Sequence, residues 1–186
     1  MAFRKITLFT LFVLSLTVFA SAMEFSADMI MTSAQGNMTG KMFYKPDRFR
    51  SDIKSPQQMI SITRLDKKVA WNIMPAEKMY MEMPLDLRTK PMVEDKVNGE
   101  IDRKLVGSET VDGHPAQKYL ITFKSGNAKE QVYQWWATDI KFPVKTAAVD
   151  GSFTQEFKNI KIESQPNSLF ELPSGYQKIQ IPGGMR

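Results

Sequence analysis

The chain contains no cysteine among its 186 residues. This absence excludes a disulfide framework, a thiol nucleophile, a Cys-ligated zinc site and acylation at a lipoprotein cysteine. The single histidine, His114, lies in a Gly-His-Pro turn, where a solitary histidine is more often structural than catalytic. The sequence also lacks a glycine-rich phosphate loop and a Gly-x-Ser-x-Gly nucleophile elbow. We therefore expect a protein that is not an enzyme and that has neither a cofactor nor a resident metal ion.

Charge of one sign is never concentrated in this chain. The sequence has 25 Lys and Arg residues against 20 Asp and Glu residues, which gives a net charge of +5. The basic residues are spread among the acidic ones and do not form a run, as is typical of a solvated surface. The composition therefore argues against nucleic acid as a partner.

Only one long apolar run is present, and it lies at the beginning of the chain. Arg4 and Lys5 precede an uncharged stretch over residues 6–20, and Ala-Ser-Ala at 20–22 is a small-residue cleavage site. This pattern predicts a secretory signal peptide over residues 1–22, cleaved after Ala22. We expect residues 23–186 to form one soluble, monomeric domain in the periplasm, with a net charge of +3 after loss of the two basic residues.

From residue 24 onward the chain alternates apolar and polar residues over short segments separated by turn residues. Phe25, Ala27 and Met29 alternate with polar positions, and Asp112-Gly113 is a strong turn signal between two further segments. The segment over residues 169–176 is apolar enough to be held against the body of the domain. No internal repeat interrupts the pattern, so an all-β domain with little helix is expected.

Residues 59–84 read as three consecutive antiparallel strands joined by turns at 66–68 and 75–77. Trp71 and Ile73 share one face of the middle strand, and a methionine stripe occupies one face of the next strand. The stripe consists of Met79, Met81 and Met83. Flexible thioethers and an indole suit an adaptable apolar surface, so we expect these five side chains to form one wall of a binding site.

After Pro84 the strand pattern stops. Residues 85–101 carry one further proline, Pro91, many charges and scattered apolar residues, with a marginal helical spacing over 92–97. This segment is predicted to be a lid over the apolar surface, either as a loop or as a short helix.

Several motifs are similar to a known class of exported proteins. Gly-Lys-Met-Phe-Tyr-Lys-Pro-Asp-Arg-Phe-Arg at 40–50, followed by the hairpins of 59–83, resembles the first half of periplasmic lipoprotein carriers of the LolA and LolB type. Val-Asp-Gly-His-Pro-Ala-Gln-Lys-Tyr at 111–119 and Leu-Phe-Glu-Leu-Pro-Ser-Gly-Tyr at 169–176 resemble related exported domains of unknown function of the DUF4412 type. The resemblance covers nearly the whole of residues 23–186.

This resemblance implies a strongly curved, incompletely closed antiparallel β-barrel whose concave face holds acyl chains. Lys45 stands where such carriers have an arginine that contacts the lid, so the resemblance implies that Lys45 contacts the lid here. The implied ligand is a lipid, an acyl chain or a lipoprotein, and a membrane protein that delivers or receives it is a candidate partner. The predicted ligand-binding residues are Met42, Phe49, Ile60, Ile62, Trp71, Ile73, Met79, Met81 and Met83.

Two alternatives remain open at this point. The thioethers of Met79, Met81 and Met83 would suit Cu(I), although one strand spaces its side chains widely for a single ion. The same cavity could also serve a sensor domain that reports envelope stress to a partner protein.

Overall fold

The computed structural model describes residues 23–54, 57–85 and 96–179. These residues form twelve strands and one short 3-10 helix over Asn167–Phe170. In chain order the strands are β1 Phe25–Ser33, β2 Gly36–Lys45, β3 Arg48–Ile53, β4 Met59–Arg64, β5 Val69–Met74, β6 Met79–Pro84, β7 Glu100–Val111, β8 His114–Ser125, β9 Ala128–Ala137, β10 Phe142–Ala148, β11 Phe153–Ile162 and β12 Gln177–Ile179.

All twelve strands belong to one sheet, in the order β12-β6-β5-β4-β3-β2-β1-β11-β10-β9-β8-β7. Every neighbouring pair is antiparallel except β12 and β6, which run parallel. The two edge strands, β12 and β7, do not pair with each other, so the sheet is not closed. The predicted all-β, incompletely closed architecture is thereby confirmed.

Short loops explain why consecutive strands are neighbours. Loops 65–68 and 75–78 each have four residues and each end in a lysine with positive φ, 55° for Lys68 and 52° for Lys78. The amide of Lys68 donates to the Leu65 carbonyl at 3.2 Å, and that of Lys78 donates to the Pro75 carbonyl at 3.3 Å. Connections of this length can join only antiparallel neighbours.

The sheet is strongly curled, and one hollow shows in which direction. Ser61 and Thr63 of β4 line the same hollow as Phe142 and Thr146 of β10. Four strands separate β4 from β10 in the sheet, so a flat sheet would hold them about 24 Å apart at a spacing of ~4.8 Å per strand. The face that carries these side chains is therefore the concave face, and the opposite one is the convex face.

The main core is centred on aromatic rings of β1, β2, β10 and β11 on the concave face. Phe25 stacks on Tyr44 with ring centroids 4.9 Å apart, and Phe142 meets the edges of Phe25 at 4.8 Å and Phe157 at 5.1 Å. Stacked and edge-to-face rings stabilise a core beyond the area that they bury. Buried residues of seven strands and one loop complete this cluster: Ala27, Met29, Met42, Phe49, Val111, Ala116, Trp135, Ala137, Ile140 and Val144.

A second, smaller core lies on the convex face, where residues 163–176, here named the C-terminal strap, cross the sheet. Phe170 of the strap is fully buried against a cluster of strand residues. That cluster consists of Ile60, Ile62, Trp71 and Ile73. The expectation that residues 169–176 pack against the domain is confirmed.

Two predicted segments fall outside the description. The signal peptide over residues 1–22 and the central part of the predicted lid, residues 86–95, lie outside the described residues. Among the residues that are described, no helix is long and apolar enough to cross a lipid bilayer.

Candidate functional site

The concave face contains a hollow of about 170 Å3 between β1–β4 on one side and β10–β11 on the other. Met29, Met42 and Phe49 contribute its apolar wall on the first side. Phe142 and Phe157 contribute the apolar wall on the second side. We name this space the inner hollow.

The remaining lining of the inner hollow is polar but uncharged, apart from the apolar Pro143. It comprises Ser51, Ser61, Thr63, Thr146 and Gln155. Ser51 and Ser61 are directly opposed in the β3–β4 ladder, so their hydroxyls lie side by side. Gln155 points its amide toward the Met29 sulfur, with Nε2 3.8 Å from Sδ. The inner hollow thus combines an apolar wall with neutral hydrogen-bonding groups.

A second and larger space of about 600 Å3 adjoins it, and we name it the outer hollow. Thr146 lines both spaces, so the two are neighbours along the concave face. The apolar lining of the outer hollow includes Phe123, Val132, Ala148 and Phe153. Three charged side chains also line it: Lys96, Lys124 and Glu130.

A buried polar cluster fixes the wall of the outer hollow at Gln134, which is 2% exposed. Arg103 donates to the Gln134 side-chain oxygen at 3.2 Å and forms two hydrogen bonds of 2.9 Å with Glu100. Hydrogen bonding by Arg103 holds the pKa of Glu100 below its usual value, since it favours the ionised carboxylate. The ion pair between Arg103 and Glu100 thereby holds the side-chain amide of Gln134 in place.

Five of the nine predicted ligand-binding residues lie on the concave face. Met42 and Phe49 line the inner hollow. Met79, Met81 and Met83 are on the same face, but on β6 near the edge of the sheet, where all three are half-buried.

The other four predicted residues lie on the convex face, and this corrects the expectation of one continuous wall. Trp71 is directly opposite Glu82, and Ile73 is directly opposite Tyr80, whereas Met81 is opposite Asn72. Opposed residues of an antiparallel pair share a face, so Trp71 and Ile73 point away from the methionine stripe. Ile60 and Ile62 point the same way, and both lie in the cluster beneath the strap.

The loop length explains this difference. The expected turn at 75–77 has three residues and would place Trp71 opposite Met81. The actual loop, 75–78, has four residues, and this one-residue change moves every side chain of β6 to the other face relative to β5.

Hydrogen bonds confirm which side chains share the convex face. The indole of Trp71 donates to the Glu82 carboxylate at 3.0 Å, and Lys178 of β12 donates to the same carboxylate at 2.6 Å. Hydrogen bonds from Lys178 and then Trp71 lower the pKa of Glu82. The three residues tie β5, β6 and β12 together on this face.

Four basic side chains of β2–β4 hold the strap in place. Arg64, which is 3% exposed, donates to the Phe170 carbonyl at 3.0 Å and pairs with Asp66 and Glu171. The other three donate to strap oxygens: Lys45 to the Gln165 carbonyl (3.2 Å), Arg48 to the Asn167 side chain (3.2 Å) and Arg50 to the Leu169 carbonyl (2.9 Å).

Lys45 was expected to contact the lid over 85–101. In the part of the chain that the structure describes, its partners are the Gln165 carbonyl and Glu24, the latter at 3.0 Å. A single ammonium reaches one carbonyl here, whereas the three arginines on neighbouring strands supply planar groups with several donors. The arginines that hold the strap were not predicted, although Arg48 and Arg50 share the strand face opposite Phe49.

The neutral polar residues of the inner hollow were also not predicted. Ser51 lies two residues after Phe49 and therefore shares one face of β3 with it. That Ser51 and Phe49 face the same side could be inferred from strand periodicity alone. That Gln155 and Thr146 face the same space depends on the curl of the sheet. Local sequence carries no signal for that proximity.

His114 contacts the loop that follows β9. Its Nδ1 is 2.7 Å from the Asp139 carboxylate, at the junction of β8 with the loop after β9. Burial raises the pKa of Asp139, but the hydrogen bond with His114 lowers it. The net effect is a pKa below the usual value for an aspartate. Among the described residues, no group of three or more His, Cys, Asp or Glu side chains is placed to hold a metal ion.

The open, curled sheet with a lined concave face can be compared with known families and structures. The chain belongs to the family described as a domain of unknown function (DUF4412), whose profile matches residues 24–141. The resemblance inferred from the motifs is thereby confirmed. No curated protein matches the chain.

Two solved structures of MucB share the fold of this chain. MucB in the Pseudomonas aeruginosa MucA/MucB complex aligns at 13% identity with a TM-score of 0.59, over 87% of this chain and 59% of that one. A second structure, of MucB with MucA(peri), gives 13% identity and a TM-score of 0.58, over 87% and 58%. The Mycobacterium tuberculosis lipoprotein LppX gives 12% identity and a TM-score of 0.44, over 72% and 83%. This chain therefore spans less than two thirds of the MucB chains, and the likeness shows the fold alone.

Proposed function

We propose that this protein binds an apolar ligand, such as the acyl chain of a lipid or lipoprotein, on its concave face and carries it in the periplasm. The observation that carries the proposal is the pair of adjoining hollows, whose larger member has a volume of about 600 Å3. Ligand sites in proteins are typically concave, largely apolar and ~300–1,000 Å3 in volume. Export through a cleaved signal at 1–22 is part of the same proposal.

The sizes of the two spaces support a ligand that enters through the outer hollow. The inner hollow, at about 170 Å3, is close to the ~150 Å3 of an apolar cavity that admits benzene. It therefore suits the end of one chain, whereas the outer hollow has room for the rest. In this arrangement the methionine and phenylalanine side chains of the inner hollow contact methylene groups.

The uncharged polar lining of the inner hollow favours a ligand whose buried part carries no charge. An ionised carboxylate transferred into the inner hollow would meet hydroxyl and amide groups but no cation, and burial of an unpaired charge is costly. Neutral hydrogen-bonding groups such as esters and amides match Ser51, Ser61 and Gln155 better. Charged headgroups would stay near Lys96 and Lys124 at the outer hollow.

One pair of variants tests the proposal. Ser61→Phe places a bulky ring in the inner hollow without adding a charge, and it should reduce uptake of a fluorescent acyl-chain probe at least tenfold. Thr39→Phe adds the same ring to an exposed position that faces the convex side on β2, so its uptake should match the parent protein. Equal uptake by all three folded proteins would contradict the proposed site. Organic extraction and mass spectrometry of the purified parent should in addition release a bound lipid.

A further inference from the structure

Methionines collect at one corner of the concave face, away from the two hollows. Met74 and Met79 are direct partners where β5 turns into β6. Ile60 pairs with Ile73 in the adjacent ladder, so the next position along each strand places Met59 beside Met74. Three neighbouring strands therefore present thioethers in one row across the sheet.

A separate hollow of about 360 Å3 opens beside this row, and Met79 adjoins the hollow as the direct ladder partner of Met74. Met59 and Met74 line it together with Met38 of β2. Met59 is 37% exposed, and the other two are half-buried, so an ion from solvent can reach the sulfurs. The rest of the lining is Ile53, Gln57, Gln58, Ala76 and Glu77.

Spacing distinguishes this row from the methionine stripe on β6. Directly opposed residues have Cβ atoms about 4.5–5.5 Å apart, whereas residues two apart along one strand are separated by about 6.6 Å. Methionine has three rotatable side-chain bonds, so neighbouring thioethers in the row can turn toward one point. Met81 and Met83 face Asn72 and Ala70 across the ladder, and no sulfur opposes them.

The donor set determines which ion suits the corner. Thioether sulfur is a soft, neutral ligand that selects Cu(I) over hard cations such as Mg2+ or Ca2+. The chain has no cysteine, so no thiolate competes for such an ion. We propose that Met59, Met74 and Met79 bind Cu(I), with Met38 as a fourth ligand. This site is distinct from the apolar hollows, and the proposal does not depend on the acyl-chain ligand.

The test is anaerobic competition between the full mature chain and a Cu(I) chelator, repeated with Ag(I) as an ion that does not change oxidation state. Met59→Leu/Met74→Leu removes two sulfurs from the row and keeps the apolar side-chain volume. Met81→Leu/Met83→Leu removes two sulfurs from the same face and serves as the matched control. We expect the first pair to weaken Cu(I) binding at least tenfold and the second pair to change it less than twofold.

Uptake of the acyl-chain probe, measured on the same variants, should stay unchanged, because neither pair lines the inner or outer hollow. If the first double variant does not fold, the single variant Met79→Leu replaces it, with the same expected direction. A parent protein that takes no Cu(I) from the chelator would overturn the site. Equal loss in the row and control variants would overturn it as well.

Discussion

Replacing Phe170 by Ala tests how the strap and the two faces of the sheet are related. The Phe170 side chain has no exposed surface and packs on Ile62, Trp71 and Ile73 across the convex face. A buried phenylalanine removes about 150–250 Å2 from water, which at ~25 cal/mol per Å2 gives about 4–6 kcal/mol as an upper value. Measured Phe→Ala substitutions in cores cost about 3–5 kcal/mol. We therefore expect the free energy of unfolding to fall by about 4 kcal/mol.

The assay is urea unfolding followed by tryptophan fluorescence, since Trp71 lies in the affected cluster and is 6% exposed. Ile162→Ala is the control, because Ile162 is 59% exposed and its truncation should change stability by less than about 0.5 kcal/mol. If the strap detaches in the Phe170→Ala variant, the emission of Trp71 should shift to the red before the main transition.

The same variant also tests whether the ligand binds on the concave face and not on the convex face. Phe170 lies on the convex face, so the variant, while folded, should take up the acyl-chain probe within about twofold of the parent protein. A stability change below 1 kcal/mol would show that the strap is not part of the folded domain. Loss of probe uptake by a folded variant would refute the assignment of the ligand to the concave face.

Two further predictions concern the sheet near the strap. Hydrogen bonds from Arg64 lower the pKa of Asp66 from 3.8 to about 2, so its contribution to stability is complete above about pH 4 and is lost as the pH falls through 2. Urea titrations at pH 5 and pH 2 should show Asp66→Asn less stable by about 1–2 kcal/mol at pH 5, with most of this difference lost at pH 2; a constant difference would contradict this. Gly40→Ala should cost about 1–3 kcal/mol in the same assay, because its Cβ would lie 2.3 Å from the Asp52 carbonyl oxygen; unchanged stability would show that β2 and β3 can separate freely.

The sequence by itself determined the strand pattern and the pairing of strands that are joined by short turns, but not the pairing of β1 with β11 or of β6 with β12. Alternation of apolar residues and turn chemistry are local properties, and a loop as short as 65–68 can only return the chain beside the preceding strand. The predicted ligand-binding residues Met42 and Phe49 lie on the face that proves to be concave. These predictions needed no knowledge of contacts between distant parts of the chain.

Only the tertiary structure decided which faces belong together. The strand β6 follows a loop of four residues, not three, and this change in register turns the Met81 side chain away from Trp71. The curl of the sheet brings Thr146 to the hollow of Ser61, and the strap covers the apolar residues that would otherwise have extended the site. Register is sensitive to a single residue, and curvature is a sum over many strands, so neither could be read from local sequence pattern alone.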